Sequence, residues 1–172
     1  MESYDVAPIE GYHPEIGLLL ASLADSTREW QEQLESPSIE AITWQPVPGF
    51  HSVGALILHN IEVEMYWFEE FVGGREVSPD DYKLLRSEDI DQMNVNWPIP
   101  PAEPIEWYYD HLARFRARAW EVLLNENPER IIARKNYETS VRWVVAHVVE
   151  HDSYHGGQAV LLHELYKKMV QK

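Results

Sequence analysis

A set of histidines in this sequence has the spacing that a metal site requires. Three of them stand four residues apart near the C-terminal end, in HVVEHDSYHGGQ: His147, His151 and His155. Side chains four residues apart lie on one helix face with Cβ atoms about 5–6 Å apart, so two such imidazoles can bind one cation at about 2.0–2.1 Å. At a rise of about 1.5 Å per residue, His147 and His155 are about 12 Å apart and cannot share an ion. The spacing leaves open which adjacent pair binds.

A third ligand has to come from another part of the chain, and His59 is the best candidate. It lies in a second apolar stretch, SVGALILHNIEVEMYW. A single histidine on an apolar helix face is usually a hydrogen-bonded core residue, but burying several imidazoles together is costly unless something binds them. Three imidazole ligands with a fourth position open are typical of a catalytic site, and zinc, nickel or iron suits such ligands. The pattern therefore predicts a divalent metal site.

The composition restricts the classes of function. The 172 residues include 14 basic and 29 acidic ones, a net charge of −15, which disfavours binding to nucleic acid and to anionic membranes. An apolar content of 45% with 7 Trp, 9 Tyr and 4 Phe indicates a single folded domain over residues 1–172. The chain has no cysteine, so thiolate ligands and a cysteine nucleophile are excluded. Without a leader or a long apolar run, we expect a soluble, cytoplasmic protein.

Hydrophobic spacing and capping residues predict an all-α protein. The expected helices run from Pro14 to about Glu35, from His51 or Ser52 to Gly73, from Pro104 to about Asn125, and from Thr139 or Ser140 to Lys168. A long connection, residues 75–103, joins the second helix to the third as a crossover or a lid, with a short helix capped by Ser87. Two alternating segments, Ile39–Trp44 and Ile131–Tyr137, are predicted to pair as a small two-stranded ribbon.

The glycines of the fourth helix and the arginines of the third helix predict how those helices are packed. Gly156 and Gly157 lie within the fourth helix, where glycine costs about 1 kcal/mol relative to alanine, which indicates close approach of another backbone or a ligand. On the third helix, Arg114, Arg116 and Arg118 are expected to face mostly solvent.

An alternative interpretation rests on His147, Glu150 and His151, which match the H-x-x-E-H pattern of inverted zincin peptidases. In that pattern the histidines bind zinc and the glutamate is the general base. Only 21 residues follow His151, with Glu164 as the sole acidic candidate for a further ligand on that helix.

The segments around His59 and HVVEHDSYHGGQ, with a Trp44-x-Pro46 segment before the second helix, resemble the DinB/YfiT-like metalloenzyme superfamily. The resemblance covers nearly the whole chain and implies an up-down-down-up four-helix bundle, often a homodimer. It implies that His59, His151 and His155 are the ligands and that His147 is a neighbour in the pocket wall. Gly156 departs from the family pattern, in which arginine is frequent at that position.

The resemblance also implies an activity on a small molecule: metal-dependent transfer or isomerisation with a low-molecular-weight thiol such as bacillithiol or mycothiol. Activation of water for hydrolysis and a non-catalytic stress-response or dimerisation module are the alternatives. Glu62 and Gln158, each one turn beyond a histidine, are candidates for orienting the ligands. Tyr154, Trp97 and Trp143 are candidates for the pocket wall, although core packing is the more usual role for such aromatic residues.

Overall fold

The computed structural model describes residues 5–85 and 96–170, which are mostly helical. The helices are α1 (Pro14–Leu34), α2 (Ile39–Thr43), α3 (Val53–Glu64), α4 (Pro79–Leu85), α5 (Ile105–Glu121) and α6 (Val141–Met169). A π-helical segment, Met65–Val72, continues α3, and two short strands, β1 (Ile131–Ala133) and β2 (Glu138–Ser140), precede α6. Among the described helices, none has the length and apolar character to span a membrane.

Local capping explains where the long helices begin, as the sequence predicts. The Ser52 hydroxyl accepts a hydrogen bond from the Ala55 amide at the start of α3. Ser140 does the same for the Trp143 amide at the start of α6, and Pro14 occupies the first position of α1. Such caps satisfy amide groups that have no partner within the helix. The sequence-based starts of these three helices are confirmed.

The two helices that carry the histidines pack against each other. Helix α6 packs along both α1 and α3, and α3 also packs against α5. One buried cluster centres on α3 and α5, with Leu56, Ile57, Tyr108, Leu112 and Phe115 among its members. A second joins α1, the π-helical segment and the start of α6, including Leu20, Leu23, Phe68, Val141 and Val144. Burial of these apolar side chains fixes α3 and α6 side by side.

The π-helical segment was not predicted. It spans eight residues and follows α3 without a break, and its wide turns continue to the Gly73 amide, which donates to the Phe68 carbonyl at 3.0 Å. Such segments are rare and occur frequently beside functional sites. Here the segment begins six residues after His59.

The expected two-stranded ribbon forms, but with different strands. Residues Ile39–Thr43 are helix α2 rather than a strand, because the Ser38 side chain caps the Ala41 amide and starts a helical turn. Ala41 and Ile42 then face the core. The antiparallel ribbon is instead formed by β1, which lies in the second predicted segment, and β2, which follows that segment in the chain. Ile131 pairs with Ser140.

Two expectations about helix faces were wrong. A Cβ atom at Gly156 would lie 2.2 Å from Cδ1 of Trp30, whereas one at Gly157 would meet nothing within 4 Å. The close neighbour of Gly156 is therefore a tryptophan side chain of α1, neither a backbone nor a ligand. The Arg116 side chain is only 12% exposed and forms an ion pair with Glu64, whereas the Arg118 side chain is 40% exposed and Arg114 is exposed as expected.

The connection between α3 and α5 reaches the histidines through Trp97. This residue is 6% exposed, and its amide donates to the Gly49 carbonyl at 2.8 Å. Helix α4 lies in the same connection and was not predicted. The short helix expected after Ser87 falls on residues 86–95, outside the described residues.

Candidate metal centre

Histidines from α3 and α6 converge in the interior between the two helices. One ring nitrogen from each of His59, His151 and His155 lies within 4.8 Å of the others. The ring centroids are 4.9 Å apart for His59 and His151, 5.1 Å for His59 and His155, and 4.4 Å for His151 and His155. Three nitrogens around one tetrahedral ion lie about 3.3 Å apart, so small ring rotations would complete the site. Of the two pairs that spacing left open, 151/155 is the one that meets His59.

Hydrogen bonds hold two of these rings in a defined orientation. Nδ1 of His59 lies 3.1 Å from a carboxylate oxygen of Glu62, and Nδ1 of His155 lies 2.7 Å from Oε1 of Gln158. Because both partners are oxygen acceptors, each Nδ1–H donates and each Nε2 keeps its lone pair for another ligand. Metal-binding histidines characteristically make such a bond through their second nitrogen. Glu62 and Gln158 lie where the sequence placed them, one turn beyond the histidines.

The electrostatic environment favours the neutral form of His151 and His155, which is the form that binds metals. Burial is the largest cause of a lowered pKa at His151, to about 3, and at His155, to about 4. Neighbouring histidines lower both further, while the hydrogen bond with Gln158 opposes the change at His155. An all-nitrogen donor set in which two of the three rings are held by hydrogen bonds fits a divalent transition metal.

His147 lies outside this group of three. Its ring centroid is 6.3 Å from that of His151 and is stacked on Trp143 at 4.9 Å with an interplanar angle of 5°. Glu150 lies on the exposed side of α6. The geometry therefore gives no support to the H-x-x-E-H interpretation, which needs His147 and Glu150 beside the metal. Tyr154 is 64% exposed and contacts the site only through the edge of His155.

Sequence reasoning missed His51, which it treated only as a helix cap. Its ring lies in the loop before α3, 4.3 Å from Trp97 and 6.5 Å from His155 between centroids. Trp97 in turn contacts His59 edge-on at 5.1 Å. Burial, and secondarily His59, lower the pKa of His51. Because His51 lies in a loop, helical spacing gave no signal for its position.

A buried charged network lies directly behind the histidines and was also missed. Nε of Arg116 donates to both carboxylate oxygens of Glu64, at 2.8 and 3.1 Å, and the guanidinium lies 3.6 Å from Asp152. Asp152, next to His151 in sequence, also accepts hydrogen bonds from Trp30 Nε1 and the Thr27 hydroxyl, both at 3.1 Å. The network joins α1, α3, α5 and α6, and so fixes α3 against α6 at the level of the candidate ligands.

The charges in this network depend on one another. Burial raises the pKa of Glu64 and of Asp152, and the Arg116 guanidinium opposes that rise at both. Burial disfavours the charged form of Arg116, but Glu64 and Asp152 more than offset this and raise its pKa. Removing one member would leave the others buried without their counter-charge, which is strongly destabilising.

A cavity of about 350 Å³ opens beside the histidine cluster. The residues that line it come from α3, the π-helical segment and α6: His59, Glu62, Val63, Tyr66, Trp67, His147 and His151. A larger cavity of about 480 Å³ lies between α1 and α6, but none of the clustered histidines lines it. Of these two cavities, the smaller one is lined by candidate metal ligands, His59 and His151.

Comparison with known protein families agrees with this architecture. The family model described as mycothiol-S-transferase matches residues 18–168, nearly the whole chain, including all the helices that build the site. A search among curated proteins finds no match. The resemblance to the DinB/YfiT-like superfamily, to which that family belongs, is confirmed. The chain belongs to the mycothiol-S-transferase family.

Proposed function

We propose that this protein is a metal-dependent thiol transferase in which His59, His151 and His155 hold one divalent ion. The observation that carries the proposal is the convergence of the buried His59 and His155 with the partly buried His151 beside a cavity. Family membership supports a low-molecular-weight thiol, mycothiol in the first instance, as the cosubstrate. The proposal includes a single-domain, up-down-down-up bundle as the scaffold and a homodimer as the assembly.

The proposed reaction joins the thiol to a small electrophile. A divalent ion bound at the histidines would lower the pKa of a coordinated thiol, so that a thiolate is available near pH 7. The sulfur forms a bond to an electrophilic carbon, the leaving group departs with its electron pair, and the thiol proton passes to solvent. The chain has no cysteine, so the attacking sulfur belongs to a diffusible thiol.

The protein's own residues supply position and environment. Glu62 and Gln158 hold the rings of His59 and His155 with their Nε2 atoms available. The network of Arg116, Glu64 and Asp152 keeps the two ligand-bearing helices in register. Such fixed geometry avoids reorganisation when the substrates bind. Zinc, nickel and iron all suit the donor set, and metal analysis distinguishes them.

A turnover assay tests the proposal. Tag-free protein is loaded with zinc and mixed with mycothiol and 1-chloro-2,4-dinitrobenzene, and the thioether product is followed by absorbance. We expect turnover that requires both metal and thiol and that is lost in His155→Ala. His111→Ala is the matched control, because its ring bonds to the Trp107 carbonyl on α5, away from the cluster.

Three results would overturn the proposal. Release of chloride from the electrophile at the same rate without thiol would indicate hydrolysis with water as the nucleophile. Full metal binding with no turnover for any of several thiols and electrophiles would indicate a non-catalytic metal-binding bundle. Equal activity in wild type and His155→Ala would remove the histidine cluster from the reaction.

A further inference from the structure

An aromatic surface forms one wall of the cavity beside the histidine cluster. Trp67 lies 5.1 Å from His147 and 5.8 Å from Trp143 between ring centroids, and Trp143 is stacked on His147 at 4.9 Å. Trp67 and His147 line the cavity, whereas Trp143 is stacked on His147 and does not line it; we call these three residues the aromatic wall. Tyr66 extends it, with its ring 5.3 Å from that of Trp67.

The aromatic wall is not ordinary core packing. Trp143 is 48% exposed and Tyr66 is 41% exposed, although buried positions are available to aromatic residues elsewhere in the same helices. Within the described part of the chain, His147 contacts other side chains through its ring faces and edges, and no hydrogen bond engages its nitrogens. The π-helical segment supplies Tyr66 and Trp67. Open aromatic faces that line a cavity are typical of a ligand site.

The cavity joins this wall to the candidate metal ligands. His59 and His151 line the same cavity as Trp67 and His147. Its volume of about 350 Å³ is near the lower end of the range for ligand pockets, about 300–1,000 Å³, and suits one small ring system. A flat group held against the wall would lie beside the position where the thiol is activated.

The charge of the lining narrows the class of ligand. Among the seven residues that line the cavity, Glu62 carries the only formal charge, and none is lysine or arginine. A divalent ion with its bound thiolate would leave about one positive charge, which the Glu62 carboxylate offsets, so the loaded cavity has no net charge to attract an anion. Aromatic faces bind flat conjugated groups by stacking.

We propose that this cavity is the binding site for the electrophilic substrate and that it selects a neutral, planar, conjugated electrophile through the aromatic wall. This inference rests on the proposed transferase function and names the substrate class of that site. Trp67 and Tyr66 contact the electrophile and determine specificity, whereas the thiol binds at the histidine cluster. The wall takes no part in making or breaking bonds.

The experiment measures binding of an unreactive probe. 1,3-Dinitrobenzene has the ring and nitro groups of the assay electrophile but no leaving group, so it binds without reacting. Calorimetric titration of zinc-loaded protein saturated with mycothiol gives its Kd, because the bound thiolate offsets charge on the ion and the probe has no leaving group to react. We expect Trp67→Leu and Tyr66→Leu to raise Kd about tenfold through loss of aromatic contact. 3,5-Dinitrobenzenesulfonate, which adds a negative charge, should bind at least about fivefold more weakly than the neutral probe.

The matched control is Trp107→Leu. Trp107 contacts His111 four residues further along α5, with ring centroids 4.0 Å apart, just as Trp143 contacts His147 on α6. Trp107 does not line the cavity. We expect the Kd for 1,3-dinitrobenzene to be unchanged in this variant. Tyr66 is well exposed, so Tyr66→Leu decides the question if circular dichroism shows that Trp67→Leu is unfolded.

The outcomes separate this inference from the transferase proposal. If the probe binds and both cavity variants weaken it but no thiol is transferred, the site stands and the transferase function is wrong. If transfer occurs but the variants leave the KM for the electrophile unchanged, the site assignment is wrong while the function stands. If the cavity variants raise only the KM for the thiol, the thiol and not the electrophile lies against the aromatic wall, and the inference is wrong. Binding of 3,5-dinitrobenzenesulfonate as tight as that of 1,3-dinitrobenzene would also overturn it.

Discussion

Substitution of Gly156 by alanine should destabilise the protein by at least about 1.5 kcal/mol. The new Cβ would lie 2.2 Å from Trp30 Cδ1, more than 1 Å inside ordinary contact, so the indole must move. Overpacking of this kind costs about 1–3 kcal/mol. Moving Trp30 also breaks its 3.1 Å hydrogen bond to the Asp152 carboxylate, worth about 1.5–3 kcal/mol. The higher helix propensity of alanine returns only about 1 kcal/mol.

Gly157→Ala is the matched control, because a Cβ there meets nothing within 4 Å. It should stabilise the protein by up to about 1 kcal/mol through helix propensity alone. With a urea m-value of about 2 kcal/mol/M, the midpoint of unfolding should fall by about 0.7 M for Gly156→Ala and rise by about 0.5 M for Gly157→Ala. Equal shifts of the same sign in the two variants would refute the assigned packing of α6 against Trp30.

Three further predictions concern the buried polar groups. In metal-free protein the pKa values of His151 and His155 are lowered to about 3 and 4. Below pH 6.5 the unfolded chain therefore binds more protons than the folded protein does. The free energy of unfolding should fall as the pH drops from 6.5 to about 4. The loss is less than about 1.4 kcal/mol per pH unit for each histidine, since both keep some solvent contact, and urea titrations should show a smaller slope in His151→Leu. Arg116→Met should lower the unfolding free energy by about 3–5 kcal/mol, because two buried carboxylates lose their cation; a loss below about 1 kcal/mol in urea unfolding would contradict this. Gln158→Leu should weaken zinc binding about 10–100-fold in chelator competition, and unchanged affinity would show that the bond to His155 does not matter.

The helices could be predicted from the sequence because their signals are local. Ser52, Ser140 and Pro14 mark helix starts through caps and a favourable proline position, and the apolar spacing continues from each. Residues Ile39–Thr43 form only five residues of helix, too few for helical spacing to be distinguished from strand alternation. Apolar spacing continues from α3 through Met65–Val72, but over eight residues it does not distinguish π-helical from α-helical turns.

In the candidate site, too, the residues related by local spacing could be predicted from the sequence, whereas contacts between distant parts of the chain could not. Helical spacing proposed the three histidines of HVVEHDSYHGGQ and the orienting role of Gln158, all within about three turns of one helix. Spacing could not choose between the two histidine pairs, because that choice depends on where α3 packs. The bond from Trp30 to Asp152 joins residues 122 positions apart, and the one from Arg116 to Glu64 joins residues 52 apart. No local pattern connects such partners, so the network behind the histidines appears only in the folded chain.

The most direct measurement is the metal content of tag-free protein after exhaustive dialysis, compared among single alanine variants. The account predicts one zinc, nickel or iron ion per chain in wild type and in His147→Ala, and loss of that ion in His59→Ala and His155→Ala. Retention of the ion in His155→Ala together with its loss in His147→Ala would contradict the account.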